Sequence, residues 1–202
     1  MELRTMVAAE RRDLVDFLRT LSHDDWLVPS LCEGWLVRDV VAHLMVDTFS
    51  ITAYAAALMR KHSADRVNQH FVDRAKTLPI EDLINRLEST IGRGWASFTM
   101  PGVMLADLVV HHQDVRRPLN RSRMIHDSRL RHTLSNADPF AKPHRYVRGL
   151  KWVALDIDWT RGPGPEVRGS GEALALAMVG RSAVIPELEG EGVRLLAQRL
   201  LA

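Results

Sequence analysis

The chain has 202 residues, of which 46% are hydrophobic and 26% charged, a composition typical of a folded globular protein rather than a disordered one. Its 27 basic residues face 25 acidic ones. This balance argues against a general nucleic-acid binder, which needs a clustered excess of positive charge. A single cysteine, Cys32, excludes an intrachain disulfide, and no segment has the pattern of a signal peptide or membrane span. We therefore expect a cytoplasmic protein without membrane contact.

Helical spacing of apolar residues predicts four helices in the first 125 residues. They cover, in order, residues 2–21, 37–61, about 77–95 and about 102–117, with an irregular, partly helical crossover at 63–76. On the first helix, the charged residues 10–13 are placed on the solvent side. We interpret the four helices as an up-and-down bundle with a site among its facing helices.

Two apolar runs, on the second and fourth helices, carry the histidines that suggest chemistry. Asp107 and His111 are four residues apart, so on a helix they project from one face. His43 supplies a third group from the second helix. Two imidazoles and one carboxylate, with a fourth position left to water or substrate, are typical of a catalytic zinc site, although a histidine on an apolar face is also common as a core residue. His112 points about 100° away from His111 and is expected to pack or to lie at the surface.

Three further residues near these histidines have more than one interpretation. Asp39 and Asp47 lie four residues before and after His43, from where a carboxylate can hold a metal-bound ring, but for Asp47 a solvated side chain is the preferred interpretation. Cys32 precedes a helix start, where a lowered pKa would make it a nucleophile or a fourth ligand. A buried, inert thiol is the preferred interpretation for Cys32.

The last third of the chain has a different pattern. A polar, basic connection with a short helix near Asp127 precedes segments rich in β-branched and aromatic residues. The predicted elements are a strand at 150–159, a turn at 162–165, a returning strand at 166–168, a helix at 172–179 capped by Ser170, a further strand at 182–188 and a final helix at 193–201. The fold class is therefore α+β. The expected domains are a four-helix metal-binding bundle at 1–125, a connection at 126–148 and a small α/β unit at 149–202.

Three segments together resemble a known family. They are S-L-C-E-G-W-L-V-R-D-V-V-A-H-L at 30–44, A-D-L-V-V-H-H-Q-D-V-R-R-P-L at 106–119, and the tail from W-V-A-L-D-I-D-W through G-P-E-V-R-G to M-V-G-R. They resemble the mycothiol-dependent maleylpyruvate isomerase family, which belongs to the DinB-like metal-binding four-helix superfamily. His43 and His111 match the metal-binding histidines of the family. Asp107 stands where the family often has glutamate, a longer side chain.

The resemblance implies a function as well as a fold. It implies a divalent metal, zinc or alternatively nickel, held by His43, Asp107 and His111, mycothiol or a similar thiol as co-substrate, and an actinobacterial source. The metal would activate the thiol for attack on a small electrophile, which makes the protein an S-transferase or isomerase. The candidates for holding an anionic substrate or thiol are Arg116, Arg168 and Arg181.

Other functions stay open at this point. One alternative is a non-catalytic metal-binding or ligand-binding protein of the same fold, and another is a stress-related regulator that uses the basic segment 116–131. The expected partners are a small-molecule thiol and an electrophile, with nucleic acid unlikely and a homodimer left open.

Overall fold

The structure, a computed structural model, describes residues 2–201 and, within them, every side chain except those at positions 64 and 65. Contacts group these residues into two units, residues 2–104 with 111–122, and residues 105–110 with 123–201. The first unit is helical and the second contains a small three-stranded sheet with helices. The predicted α+β class is confirmed, whereas the predicted domain boundaries at 125 and 148 stay a prediction.

Seven α-helices are found between residues 2 and 122. They are α1 (Leu3–Leu18), α2 (Val37–His43), α3 (Ile51–Lys61), α4 (Ala64–Ala75), α5 (Ile80–Ser89), α6 (Trp95–Thr99) and α7 (Pro101–Arg116). Short 3-10 turns at Asp24–Leu27 and Leu44–Thr48 lie on either side of α2. Within the first unit, α1 packs on α5 and α6, and α2 packs on α4 and α5. The apolar residues of these helices form the core, as the fully buried Leu14 and Leu83 show.

The second predicted helix is wrong, because the chain bends where one continuous helix is expected. Helix α2 ends at His43, and Val37–Thr48 meets α3 at 119°. Ser50 starts α3 anew, since its hydroxyl accepts a hydrogen bond from the amide of Ala53 at 3.1 Å. Among the described residues no single helix is long and apolar enough to cross a membrane, and this bent pair meets the criterion by length and composition only.

The third predicted helix is also divided, and the predicted crossover is a helix. Helix α5 ends at Ser89 and α6 begins at Trp95. Between them Gly94 has a φ of 103°, which interrupts a helix and which glycine adopts at little cost. Residues 64–75 form α4, because Val67, Phe71, Val72 and Ala75 make a buried stripe at helical spacing within the polar sequence.

The second unit combines a sheet with short helices. Its elements are α8 (Asp127–Ser135), α9 (His144–Val147), β1 (Lys151–Ala154), β2 (Thr160–Arg161), β3 (Glu166–Gly169), α10 (Gly171–Met178) and α11 (Val193–Leu200). The strand order is β2-β1-β3, with β1 antiparallel to β2 and parallel to β3. Trp152 lies opposite Val167, and both are buried, which places their side chains in the core of this unit.

Local signals in the second unit are partly confirmed. Ser170 caps α10 as predicted by accepting from the amide of Ala173 at 3.2 Å. The strand predicted at 150–159 is shorter, and the strand predicted to return at 166–168 pairs parallel to β1. The strand predicted at 182–188 is wrong, because Ser182–Glu187 is a 3-10 helix. Pro186 within it has no amide hydrogen to donate to a sheet.

A buried ion pair contradicts two of the sequence interpretations. Arg11, expected on the solvent side of α1, is fully buried, and its Nη2 lies 3.1 Å from Oδ2 of Asp47. The guanidinium also donates to the Thr90 carbonyl at 2.8 Å and to the Ser97 hydroxyl at 3.1 Å. Asp47, expected to be solvated, is buried and accepts in addition from the amide of Ala96 at 2.7 Å. A buried charge pair of this kind is retained because each ion has several polar partners.

Replacing Asp47 should destabilise the protein strongly. The substitution Asp47→Ala leaves the Arg11 guanidinium buried without its counter-ion, so we expect a loss of about 3–5 kcal/mol in the free energy of unfolding. The control is Glu88→Ala, which removes an ion pair with Arg19 whose side chains are 45% and 42% exposed. That change should cost less than about 1 kcal/mol. Urea unfolding of both variants measures the free energies of unfolding. Equal losses in the two variants would contradict the conclusion that Asp47 is the counter-ion of a buried Arg11.

Candidate metal centre

The ring of His43 lies at the end of α2 between two other rings. Its centroid is 5.4 Å from the ring of Trp35 and 4.8 Å from that of His111, which it meets nearly edge to face. The indole Nε1 of Trp35 donates to Oε1 of Gln69 at 3.0 Å, which fixes the indole plane. The imidazole of His43 is therefore oriented by packing on one side and faces the histidine of α7 on the other.

A buried carboxylate orients His111. The Oδ2 atom of Asp114 lies 2.8 Å from Nδ1 of His111, and the side chains of the two residues are 0% and 12% exposed. An ionised carboxylate can only accept, so with Asp114 in that form Nδ1 carries the proton and Nε2 keeps the lone pair. Such carboxylate–histidine pairs are common where the other nitrogen of the ring binds a metal.

Cys32 lies beside this pair and is not the buried thiol that the sequence favours. It is half-buried, and its Sγ is 3.1 Å from Oδ2 of Asp114 and 3.5 Å from Nδ1 of His111. The amide of Leu31 donates to the carbonyl of Asp114 at 3.1 Å, which holds the cysteine segment against α7. The Cys32 thiol therefore belongs to the group of side chains that contact His111, a predicted metal ligand.

Two groups of three side chains, among the residues that the structure describes, place their ligand atoms within 4.8 Å of one another. The first is His43, Asp107 and His111, the predicted set, and the second is Cys32, His111 and Asp114. Ligand atoms around a tetrahedral zinc lie roughly 3.4 Å apart, so the first group needs only small side-chain adjustments to fit one ion. In the second group Nδ1 of His111 is already at hydrogen-bond distance from Asp114. We therefore assign the first group as the candidate metal site, and its metal binding stays a prediction.

His112, the neighbour of His111, belongs to a buried polar network. Its Nδ1 lies 2.8 Å from Oε1 of Glu10, another residue that the sequence places wrongly in solvent. Its Nε2 accepts from Nε of Arg116 at 2.8 Å, and the Arg116 guanidinium lies 3.7 Å from the ring centroid of Phe17. Arg116 therefore has a structural role between α1 and α7, and its predicted role in anion binding stays a prediction.

The other two predicted anion-binding arginines lie in the second unit. Arg168, on β3, forms an exposed ion pair with Glu189 at 3.9 Å. Arg181 donates from Nη1 to the carbonyl of Val179 at 3.1 Å, directly after α10. These contacts are local, so the anion-binding role of both residues also stays a prediction.

The carboxylates that the sequence places around His43 have other partners. Asp39 accepts from the amide of Leu36 at 3.0 Å and so closes the first turn of α2, while Asp47 pairs with Arg11. The residue that orients a predicted ligand is Asp114, which lies on the same line of α7 as Asp107 and His111 but to which the sequence interpretation assigns no role. Its position three residues after His111 on one helix is the local signal that would have indicated it.

Comparison with known proteins supports the resemblance seen in the sequence. Residues 7–94 match the family described as mycothiol maleylpyruvate isomerase N-terminal domain. This part of the chain is therefore similar to the N-terminal domain of that family. The predicted resemblance is confirmed, and the matched segment includes His43 but ends before α7. No curated protein matches the chain.

Two solved structures share the fold of nearly the whole chain. Both are crystal structures of the mycothiol-dependent maleylpyruvate isomerase, one of them a histidine-to-alanine mutant. The mutant has a TM-score of 0.61 at 15% identity and the other structure a TM-score of 0.57 at 16% identity. Each alignment covers 95% of this chain and 93% of the solved one. At this identity the likeness to the isomerase structures establishes the fold alone.

Removing the charge of Asp114 should weaken metal binding without removing a metal ligand. In Asp114→Asn the neutral amide holds Nδ1 of His111 less firmly, so zinc affinity should fall about 10–100-fold. The matched control is Asp39→Asn, which affects the first turn of α2 but not His111, and should leave zinc affinity within about twofold. Competition titration with a chromophoric chelator measures both affinities. A large loss of zinc affinity in Asp39→Asn with none in Asp114→Asn would show that Asp39, and not Asp114, supports the metal site.

Proposed function

We propose that this chain is a metal-dependent enzyme that uses mycothiol or a similar low-molecular-weight thiol as co-substrate, acting as an S-transferase or isomerase on a small electrophile. The observation that supports the proposal is the convergence of His43, Asp107 and His111, whose ligand atoms lie within 4.8 Å of one another. The match of residues 7–94 to the isomerase family supports the choice of thiol.

The donor set of this group fits a divalent metal. Two imidazole nitrogens and one carboxylate oxygen suit zinc, and nickel also accepts these donors. Three protein ligands leave one tetrahedral position for an external molecule, which separates catalytic from structural zinc sites. A bound metal lowers the pKa of a thiol at that position and so supplies a thiolate at neutral pH.

Residues that contact His43 and His111 orient these predicted ligands for metal binding. Asp114 lies at hydrogen-bond distance from Nδ1 of His111, an arrangement that would leave Nε2 to bind the metal. Trp35 packs on His43 and restricts its ring orientation. A ligand shell whose rotamers are fixed before metal binding loses little entropy when the metal and the thiol arrive.

The reaction follows from the nucleophile. A thiolate that adds to an activated cis double bond leaves a single bond, about which the adduct rotates. Expulsion of the same thiolate then gives the trans isomer and regenerates the thiol. With an epoxide the same attack opens the ring and gives a stable thioether, which is S-transfer. The proposed partners are therefore a small-molecule thiol and an electrophile.

Metal content is the first test of the proposal. The full chain should bind about one equivalent of zinc, and His43→Ala should lose it, because two remaining ligands hold zinc weakly. Elemental analysis after zinc loading and desalting measures the stoichiometry. His23→Ala is the control, since it removes an exposed histidine of the same unit and should leave the zinc content unchanged. Absence of zinc from the unmodified protein would contradict the proposal.

Thiol consumption is the second test. Zinc-loaded protein should accelerate the reaction of mycothiol with monochlorobimane, whose product is fluorescent, and the rate should fall to the uncatalysed level in His43→Ala. A protein that binds zinc but accelerates neither this reaction nor the isomerisation of maleylpyruvate would be a metal-binding protein without turnover, and the enzymatic proposal would be wrong.

A further inference from the structure

A cavity of about 400 Å³ lies between α3 and α4. Three alanines of α3, Ala53, Ala56 and Ala57, form one side of it. Their spacing of three and four residues places them on one face of the helix, towards α4. Helix α3 has no buried residue, and its alanine side chains are too short to fill the space that separates it from α4. The small side chains of α3 therefore account for the opening.

The cavity is lined by positive charge. Arg60 and Lys61 at the end of α3, and His70 and Arg74 on α4, line it together with the alanines. None of the described residues that line it is acidic. The side chains of Arg60, Lys61 and Arg74 are exposed, so they lie at the rim of the cavity. There they can reach a ligand without being desolvated first. Several like charges around one cleft attract an anion more strongly than the same charges dispersed over a surface.

The wall on the α4 side is aromatic. Phe71, which is 8% exposed, lines the cavity and stacks on Phe49 with ring centroids 4.1 Å apart. The ring of Tyr54 lies 6.2 Å from that of Phe71 and is nearly parallel to it. An aromatic ring in a cleft of this size, with polar groups at the edge, is typical of a site for a small molecule with an apolar body.

We infer that the cavity between α3 and α4 binds a small organic carboxylate with a flat apolar body. The carboxylate would bind to Arg60 and Arg74, whose planar guanidinium groups match it in geometry, with Lys61 adding charge. The body would lie on Phe71 and on the alanines of α3. This site uses none of the three proposed metal ligands, so the inference goes beyond the proposed thiol chemistry and does not require it.

The test is calorimetric titration of the full chain with 2-naphthoate and with its neutral analogue 2-naphthamide. Naphthoate should bind with a dissociation constant below about 1 mM, and naphthamide at least about tenfold more weakly, because only naphthoate pairs with the arginines. The double substitution Arg60→Gln with Arg74→Gln should weaken naphthoate about tenfold or more. The matched control is Arg66→Gln with Arg86→Gln, which removes two exposed arginines of the same unit outside the cavity and should leave binding unchanged.

A second variant tests the cavity itself. Ala57→Leu should fill the space and abolish naphthoate binding, while circular dichroism shows unchanged helix content. Titrations of the metal-free protein, the zinc-loaded protein and His43→Ala should give the same naphthoate affinity, which separates this site from the proposed metal centre. The inference would be overturned if 5 mM naphthoate showed no binding or if naphthamide bound equally well. It would also be overturned if both pairs of arginine substitutions weakened binding equally, or if His43→Ala abolished binding.

Discussion

Two adjacent residues on the inner face of α1, Glu10 and Arg11, hold the segments that carry the predicted histidine ligands. Both are fully buried. Glu10 bonds His112, the neighbour of a predicted ligand on α7, and Arg11 pairs with Asp47, which lies in the turn directly after α2. Because a buried charge that loses its partner costs several kcal/mol, these pairs allow little variation in where the two segments meet α1. The close approach of the two histidine rings depends on this constraint.

Local sequence signals predict the elements whose causes are local. Helix α7 begins at Pro101, next to its predicted start at about residue 102, and Ser170 caps α10 as predicted, because caps and apolar stripes act within one or two turns. The break after α2 has a distant cause and was not predicted. Asp47 leaves the helix line to bind Arg11, which is 36 residues away in the chain. The parallel pairing of β1 with β3 is likewise decided by packing rather than by either strand alone.

The residues of the candidate metal site also differ in whether local sequence signals predict them. The spacing of Asp107 and His111 predicts that they form a pair, because one helix turn separates them. A similar apolar run and the family resemblance indicate His43 as the third ligand. Asp114 lies on the same helix line as Asp107 and His111, but its contact with Nδ1 of His111 depends on side-chain conformation, which spacing alone does not determine. The position of Cys32 cannot be predicted from the sequence, because its contacts with α7 join residues about 80 positions apart.

In the proposed metal centre, His43, Asp107 and His111 hold the metal and leave one position for an external thiol. X-ray absorption spectroscopy of zinc-loaded protein, prepared without any thiol, tests this most directly, because sulfur and nitrogen or oxygen ligands differ in distance. We expect only nitrogen and oxygen ligands at about 2.0–2.2 Å, with one sulfur at about 2.3 Å appearing when the thiol is added. A sulfur ligand before any thiol is added would place Cys32 on the metal and contradict the claim.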